Sequence, residues 1–260
     1  MRKLDFLVAG VQKGGTTALW HFLRQHPDVG LSASKELHFF DSDELDWAKP
    51  DYGALHAHFT DLQNKTALGE ATPIYTFWPN CIERIAAYNP EIKLVVSLRD
   101  PALRAFSHWR METARYAEKL SFGDAIRGGR ARMGGQPHRV FSYVERGFYA
   151  PQIERLFRHF PSRQILFVSQ ADLKTDIAPT LDRIATFLGV APFGAKITPE
   201  TIFSHEDGAP IDGNDLRYLR REFAQDARLT AALTGIRVPD EVASDRQPLF
   251  GGMMRRLRLA

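Results

Sequence analysis

The chain has 260 residues, 44% of them hydrophobic and 25% charged, which is the size and balance of one large α/β domain with a complete core. A single cysteine, Cys81, excludes an internal disulfide framework and fits a reducing compartment, and no stretch approaches the roughly 20 apolar residues of a membrane span. A formal net charge of +3 is mildly basic; it suits an anionic ligand and is equally the charge of an ordinary surface.

The first apolar run, Leu4 to Ala9, has strand length and follows a basic start too short in apolar residues for a signal-peptide core. It enters Gly10-Val11-Gln12-Lys13-Gly14-Gly15-Thr16-Thr17, after which Leu19, Trp20, Phe22 and Leu23 recur at helical spacing. The pattern predicts strand, glycine loop and helix, the geometry of a phosphate cradle. Gly14 and Gly15 let the backbone close on an anion, and the first free N–H groups of the helix point at it. Lys13 adds a full charge, and Thr16 and Thr17 add hydroxyl donors. Gly10 and Gly15 keep the interval of the G-x-x-x-x-G-K-[ST] loop, but Thr16 fills its lysine slot. With the lysine moved to position 13, the loop suits a different anhydride; a tight turn with an incidental lysine is the plainer alternative.

Pro27 closes the first helix and Val29-Gly30-Leu31 reads as a short strand. Ser32 to Phe40 reads as a loop diving into the core. In extended chain Glu36 and His38 lie on one side and both reach one substrate hydroxyl; the alternative is a solvated glutamate beside a satisfied core histidine. Residues 46–62 suggest a helical or irregular excursion, and Thr66 to Tyr75 a short strand ending in a turn. Pro79 opens an amphipathic helix through Tyr88, and Lys93 to Leu98 is a buried parallel strand. Asp100 is placed to cap the next helix, with Pro101 at its first position.

Ligands of open parallel sheets sit at strand carboxyl ends, so the ends after Ala9 and Leu98 face one ligand. Arg99 offers a fork for a phosphate and Ser107 lies two turns into the helix; the alternatives are a salt bridge from Arg99 to Asp100 or a neighbouring acid and an ordinary helix-face serine. Arg104 reads as structural. From Glu112 to Arg146 the chain turns polar and glycine-rich, with Gly128 to Pro137 either a mobile basic segment beside the cleft or a solvated loop. A helix carrying Ile153, Leu156, Phe157 and Phe160 stops at Pro161, a strand follows at Gln164–Val168, and a helix runs from Ile177 to Leu188. Residues 213–233 form a final helix, and 253–259 are a short basic amphipathic end that reads as a frayed terminus. No repeat or linker divides the chain, so residues 1–260 read as one domain.

The segments Val11 to Thr17, His26 to Val29, Lys35 to Asp41, and Leu98 to Pro101 with Arg104 and Ser107 resemble the sulfotransferases that use 3′-phosphoadenosine-5′-phosphosulfate (PAPS). The resemblance is strongest to the heparan sulfate 3-O-type branch and its bacterial relatives, over about the first 190 residues. It implies an α/β sulfotransferase fold, a central mainly parallel sheet flanked by helices with a P-loop-like cradle. It also implies transfer of a sulfuryl group from PAPS to a hydroxyl of a saccharide, glycoconjugate or other small acceptor. Glu36 then matches the family's base, with His38 beside it, and Arg99 and Ser107 match the residues that hold the 3′-phosphate. Lys13, Gly14, Gly15, Thr16 and Thr17 form the cofactor loop, with Lys13 neutralising charge on the leaving 5′-phosphate oxygen. A sulfuryl group carries less charge than a phosphoryl group, so no metal is expected; nor are a nucleic-acid partner or a membrane anchor, and the protein reads as cytoplasmic. Two departures stand out. Ala71 replaces the lysine of Glu-Lys-Thr-Pro, removing one positive charge near the acceptor, and Phe203 to Pro210 carries acids where the family has a basic, phosphate-clamping loop. A magnesium-dependent small-molecule kinase and a non-catalytic nucleotide-binding protein are the alternatives.

Overall fold

Five short strands form a parallel sheet in the order β2-β3-β1-β4-β5, with β1 at Phe6–Gly10, β2 at Val29–Leu31, β3 at Ala67–Ala71, β4 at Lys93–Leu98 and β5 at Ile165–Ser169. The computed structural model describes residues 2–62, 64–194 and 209–239. Most of the acidic stretch at 203–210 and the basic end at 253–259 lie outside them.

β1 is buried along its whole length, and its alternation sorts the core into two layers. Leu7 and Ala9 join Leu94, Val96 and Leu98 of β4 under α3 (Cys81–Tyr88) and α6 (Ala150–His159). Phe6 and Val8 join Val95 and Val168 under α1 (Thr16–Leu23) and α8 (Ile177–Leu188). A satellite core of Ala102, Ala105, Phe122, Leu219 and Phe223 ties α4 (Pro101–Ala114) to α5 (Phe122–Ile126) and to α9 (Gly213–Thr234). The strand expected at Gln164–Val168 is β5; it is only half-buried, because it pairs on one side alone, with β4. The helix expected to open at Pro79 begins at Cys81, since Asn80 adopts a left-handed φ of 62°.

The sheet order fixes where a ligand belongs. The chain leaves β1 toward β2 and β3 on one side and later crosses to β4 and β5 on the other, so the carboxyl ends of β1 and β4 flank a topological switch point. Asp100 caps α4, accepting from the N–H groups of Ala102 (2.9 Å) and Leu103 (3.2 Å). The alternative in which Asp100 pairs with Arg99 does not hold: Arg220 of α9 grips Asp100 through both its terminal nitrogens, one at 2.9 Å. Both side chains are nearly buried, so Asp100→Ala removes a cap and leaves the Arg220 guanidinium without its carboxylate, with Pro239 O (2.8 Å) still accepting from it. The expected cost is about 3–5 kcal/mol in denaturant unfolding. A loss below about 1 kcal/mol would return this pair to the ranks of surface ion pairs.

The segment from Gly128 to Pro137 is not a free basic surface. It forms a 3-10 turn over Gly128–Met133, in which Arg130 pairs with Glu145 (2.8 Å) and Glu222 (3.0 Å). Arg132 chelates the buried Glu118 at 3.0 and 2.7 Å. Its positive charges are answered within the fold.

Candidate active site

The loop after β1 is held open by its contacts with β4. Val11 N donates to Ser97 O (3.0 Å), Ser97 Oγ donates to Gly14 O (2.6 Å), and Arg99 Nη1 donates to Lys13 O (3.2 Å). A Cβ on Gly14 would stand 2.5 Å from Ser97 O and 2.8 Å from Val11 O, so only glycine fits between loop and strand. Gly15 precedes α1 with φ 87° and offers no side-chain cap, which leaves the first N–H groups of the helix for an anion.

A cleft of about 280 Å³ opens over these groups. It gathers Lys13, Gly15, Thr16 and Thr17 from the loop and α1, Arg99 and Ser107 from β4 and α4, and Glu36 from the loop after β2. Gly14 lies beneath, as the loop's contact with β4. Arg104 takes no part: it is fully buried and donates to Tyr143 O, the structural role expected of it. Burial, followed by the charges of Arg99 and Arg115, pushes the Lys13 ammonium below its ordinary pKa, the signature of a cationic pocket awaiting a counter-charge.

A second chamber of about 170 Å³ adjoins the first, lined by Glu36, His38, Glu112, Arg115, Arg139 and Arg146 among others. Gln12, Glu36, Pro73 and Arg115 line both chambers. Glu36 therefore stands in the partition between a cleft rich in basic and hydroxyl side chains and an adjoining pocket.

The expectation of extended chain at Glu36 and His38 is wrong, although the two side chains do come together. Both are left-handed, at φ 63° and 53°, and this double turn brings His38 Nε2 to 3.6 Å from Glu36 Oε2. Non-glycine residues at positive φ store strain that the surroundings must hold, and Lys13 at φ 67° shares the feature. Asp41 completes the group, its Oδ2 lying 2.9 Å from His38 Nδ1 and bound by Arg139 as well. Hydrogen bonding to Asp41, then to Glu36, raises the His38 pKa to about 9 against the cost of burial. Burial alone would raise Glu36, but hydrogen bonds and charge from His38 and Lys35 outweigh it and hold the carboxyl at about 2. Near neutral pH the pair is thus carboxylate and imidazolium.

The sulfotransferase domain family model matches residues 3–205. The chain belongs to the sulfotransferase family. This sulfotransferase is 36% identical over 188 residues to human heparan sulfate glucosamine 3-O-sulfotransferase 3B1, covering 71% of this chain and 45% of that protein. It is 33% identical over 218 residues to human bifunctional heparan sulfate N-deacetylase/N-sulfotransferase 3, covering 77% of this chain and 24% of that one. The chain thus spans less than half the length of these curated relatives. Among solved structures, a sulfotransferase from Alicyclobacillus acidocaldarius superposes with a TM-score of 0.79 at 25% identity, over 90% of this chain and 97% of that one.

Sequence reasoning missed several residues of the site. Asp41 stands three positions after His38 in a motif already singled out, a signal that a charged partner for the imidazole was close by. Gln170 and Lys174 follow the carboxyl end of β5 and join the phosphate cleft; the strand-end rule that found Arg99 applies to them equally. Arg115, Arg139 and Arg146 all lie in the polar stretch from Glu112 to Arg146, and which of its basic residues turn into the chamber shows only in the fold. They also change the meaning of Ala71, which is buried in the sheet while the second chamber has three arginines of its own.

Proposed function

We propose that this sulfotransferase moves a sulfuryl group from PAPS to a hydroxyl of a saccharide acceptor, with Glu36 receiving the hydroxyl's proton. The observation that carries the reading is the position of Glu36 in the wall shared by the two chambers. A phosphate-rich nucleotide suits the first chamber, whose lining includes Lys13, Arg99, Arg115 and Lys174 together with the hydroxyls of Thr16, Thr17 and Ser107. The saccharide is supported by the relatives, whose names specify heparan sulfate glucosamine.

PAPS, when bound, supplies an activated sulfuryl group on a phosphate leaving group. The oxygen–sulfur bond to the acceptor forms as the bond to the 5′-phosphate breaks, and the acceptor proton passes to Glu36. Lys13, the loop N–H groups and the two threonine hydroxyls stabilise charge on the departing phosphate oxygen. Arg99 and Ser107 hold the 3′-phosphate. A carboxylate held at about 2 serves as the base because, in a loose transition state, the attacking hydroxyl turns acidic only as its bond to sulfur forms. His38, as imidazolium clamped by Asp41, orients Glu36.

Transfer of labelled sulfate from PAPS to heparan-type oligosaccharides tests the reaction directly. PAPS-independent phosphate transfer from ATP with magnesium would replace this reading with a kinase, and PAPS binding without transfer to any acceptor would leave a nucleotide-binding protein. The cofactor assignment has a test of its own. Adenosine 3′,5′-diphosphate is expected to bind about 10- to 100-fold more tightly than 5′-AMP, the worth of one charge-assisted contact to the 3′-phosphate, and to raise Tm accordingly. Equal affinities would remove the 3′-phosphate site from Arg99 and Ser107.

A further inference from the structure

The end of β3 holds a carboxyl that no step above uses. Glu70 is fully buried beside Leu7 of β1, and its Oε2 accepts from Thr72 Oγ1 at 2.8 Å. Thr72 Oγ1 in turn accepts from His38 N at 3.4 Å. Tyr75, also fully buried, accepts through its hydroxyl from Phe39 N (3.2 Å) and Phe40 N (3.4 Å). Ala71 O accepts from Glu36 N at 3.1 Å. The backbone of residues 36 and 38–40 therefore hangs from residues 71–75, and that backbone is the double left-handed turn presenting Glu36 and His38.

A hydrocarbon of the same shape would fill the Glu70 site without a desolvation cost. What the carboxyl adds is an acceptor, through Oε2, beneath the Thr72 hydroxyl that grips the turn. Burial, with Asp41's charge adding to it, pushes the Glu70 carboxyl up to about 7, while hydrogen bonding from Thr72 and Tyr75 and the charge on His38 pull the other way. Those are the charged and titratable groups that face it: Asp41 and His38 from the loop, and Tyr75 from the turn after β3.

We propose that Glu70 is a positioning residue, which through Thr72 fixes the strained turn carrying Glu36 and His38. The proposal rests on the reading that those two side chains serve the reaction. Ionised or neutral, Glu70 Oε2 can accept from Thr72, and the charged form accepts more strongly, so the contact that fixes the turn persists as Glu70 titrates.

The test uses the full chain with Glu70→Gln, Glu70→Leu and Thr72→Val, read by turnover from pH 6 to 9, calorimetric binding of adenosine 3′,5′-diphosphate, and amide exchange of residues 36–40. Glu70→Leu and Thr72→Val are expected to lower kcat roughly 10²-fold, the cost of misplacing a reacting group by about 1 Å, with nucleotide affinity unchanged and faster exchange at residues 38–40. Glu70→Gln keeps an acceptor for Thr72, so it should retain most of the wild-type rate and the slow exchange of residues 38–40. A folded Glu70→Leu variant with wild-type kcat and exchange overturns the proposal, as does a Glu70→Gln variant as impaired as Glu70→Leu. If Glu70→Leu does not fold, Thr72→Val carries the same test. Faster exchange in a protein whose wild type transfers no sulfate would support the positioning role while removing the sulfotransfer reading; normal transfer with unaltered exchange and rate would remove the positioning role alone.

Discussion

Glu36→Gln is expected to lower turnover by roughly 10² to 10⁴, the range of a lost general base, while leaving the affinity for adenosine 3′,5′-diphosphate nearly unchanged. The substitution keeps the size of the side chain and removes only its basicity. The residue stands at the edge of the nucleotide cleft rather than among the phosphate-binding groups, so binding has little reason to change. His38 is the competitor for the role, since its ordinary pKa lies nearer neutrality. Asp41 weighs against it in the free protein: an imidazole raised to about 9 already carries its proton at pH 7 and cannot accept another. The pH profile follows from the signs. Glu36 at about 2 stays ionised at any working pH, so no acidic limb from it is expected above about pH 4. The charged form of His38 is present below about 9 and lost above it, so turnover should fall as pH rises through that value, and His38→Asn should abolish that limb. Wild-type transfer by Glu36→Gln, together with an inactive His38→Asn, would make the histidine the base.

Elements built on strong periodicity were legible: β4 and α8 fall on the expected residues, because an unbroken apolar run and a helix bounded by Gly189 each have one good solution. The glycine loop was legible because close backbone approach leaves no choice of residue, as Gly14 against Ser97 shows. The double turn at Glu36 and His38 was not. Nothing local in Lys-Glu-Leu-His favours positive φ, and the conformation is held by partners 34 to 36 residues onward, Ala71, Thr72 and Tyr75. The arginines of the second chamber were invisible for the same reason. In sequence Arg139 is one basic residue in a polar stretch; in the fold it binds Asp41, donating also to its carbonyl at 2.6 Å, and so becomes part of the site. Arg130 and Arg132 look identical in that stretch yet spend their charge on Glu145, Glu222 and Glu118. Composition counts such charges, and only contacts distinguish them.

Lys13→Ala is expected to damage binding and turnover together, which separates it from Glu36→Gln. Its ammonium faces the nucleotide cleft before any chemistry occurs, so its loss should weaken adenosine 3′,5′-diphosphate binding by about 10- to 100-fold, the worth of a charge-assisted contact. It also faces the oxygen on which charge develops, and removing such a group typically costs a further 10² to 10³ in turnover. Stability should move the other way or not at all. In the free protein Lys13 is half-buried beside Arg99 and Arg115, and its depressed pKa means that the fold bears a cost to keep it charged. Removing the charge relieves that cost, so the Tm of the free variant should match or exceed the wild type while its gain in Tm on adding the nucleotide shrinks. The depressed pKa also gives binding a sign with pH: wild-type affinity should decline as pH rises through the Lys13 pKa, and the variant should lack that decline. Unchanged kinetics and affinity in Lys13→Ala would leave the lysine a bystander and transfer its role to Arg99, Arg115 or Lys174 in the same cleft.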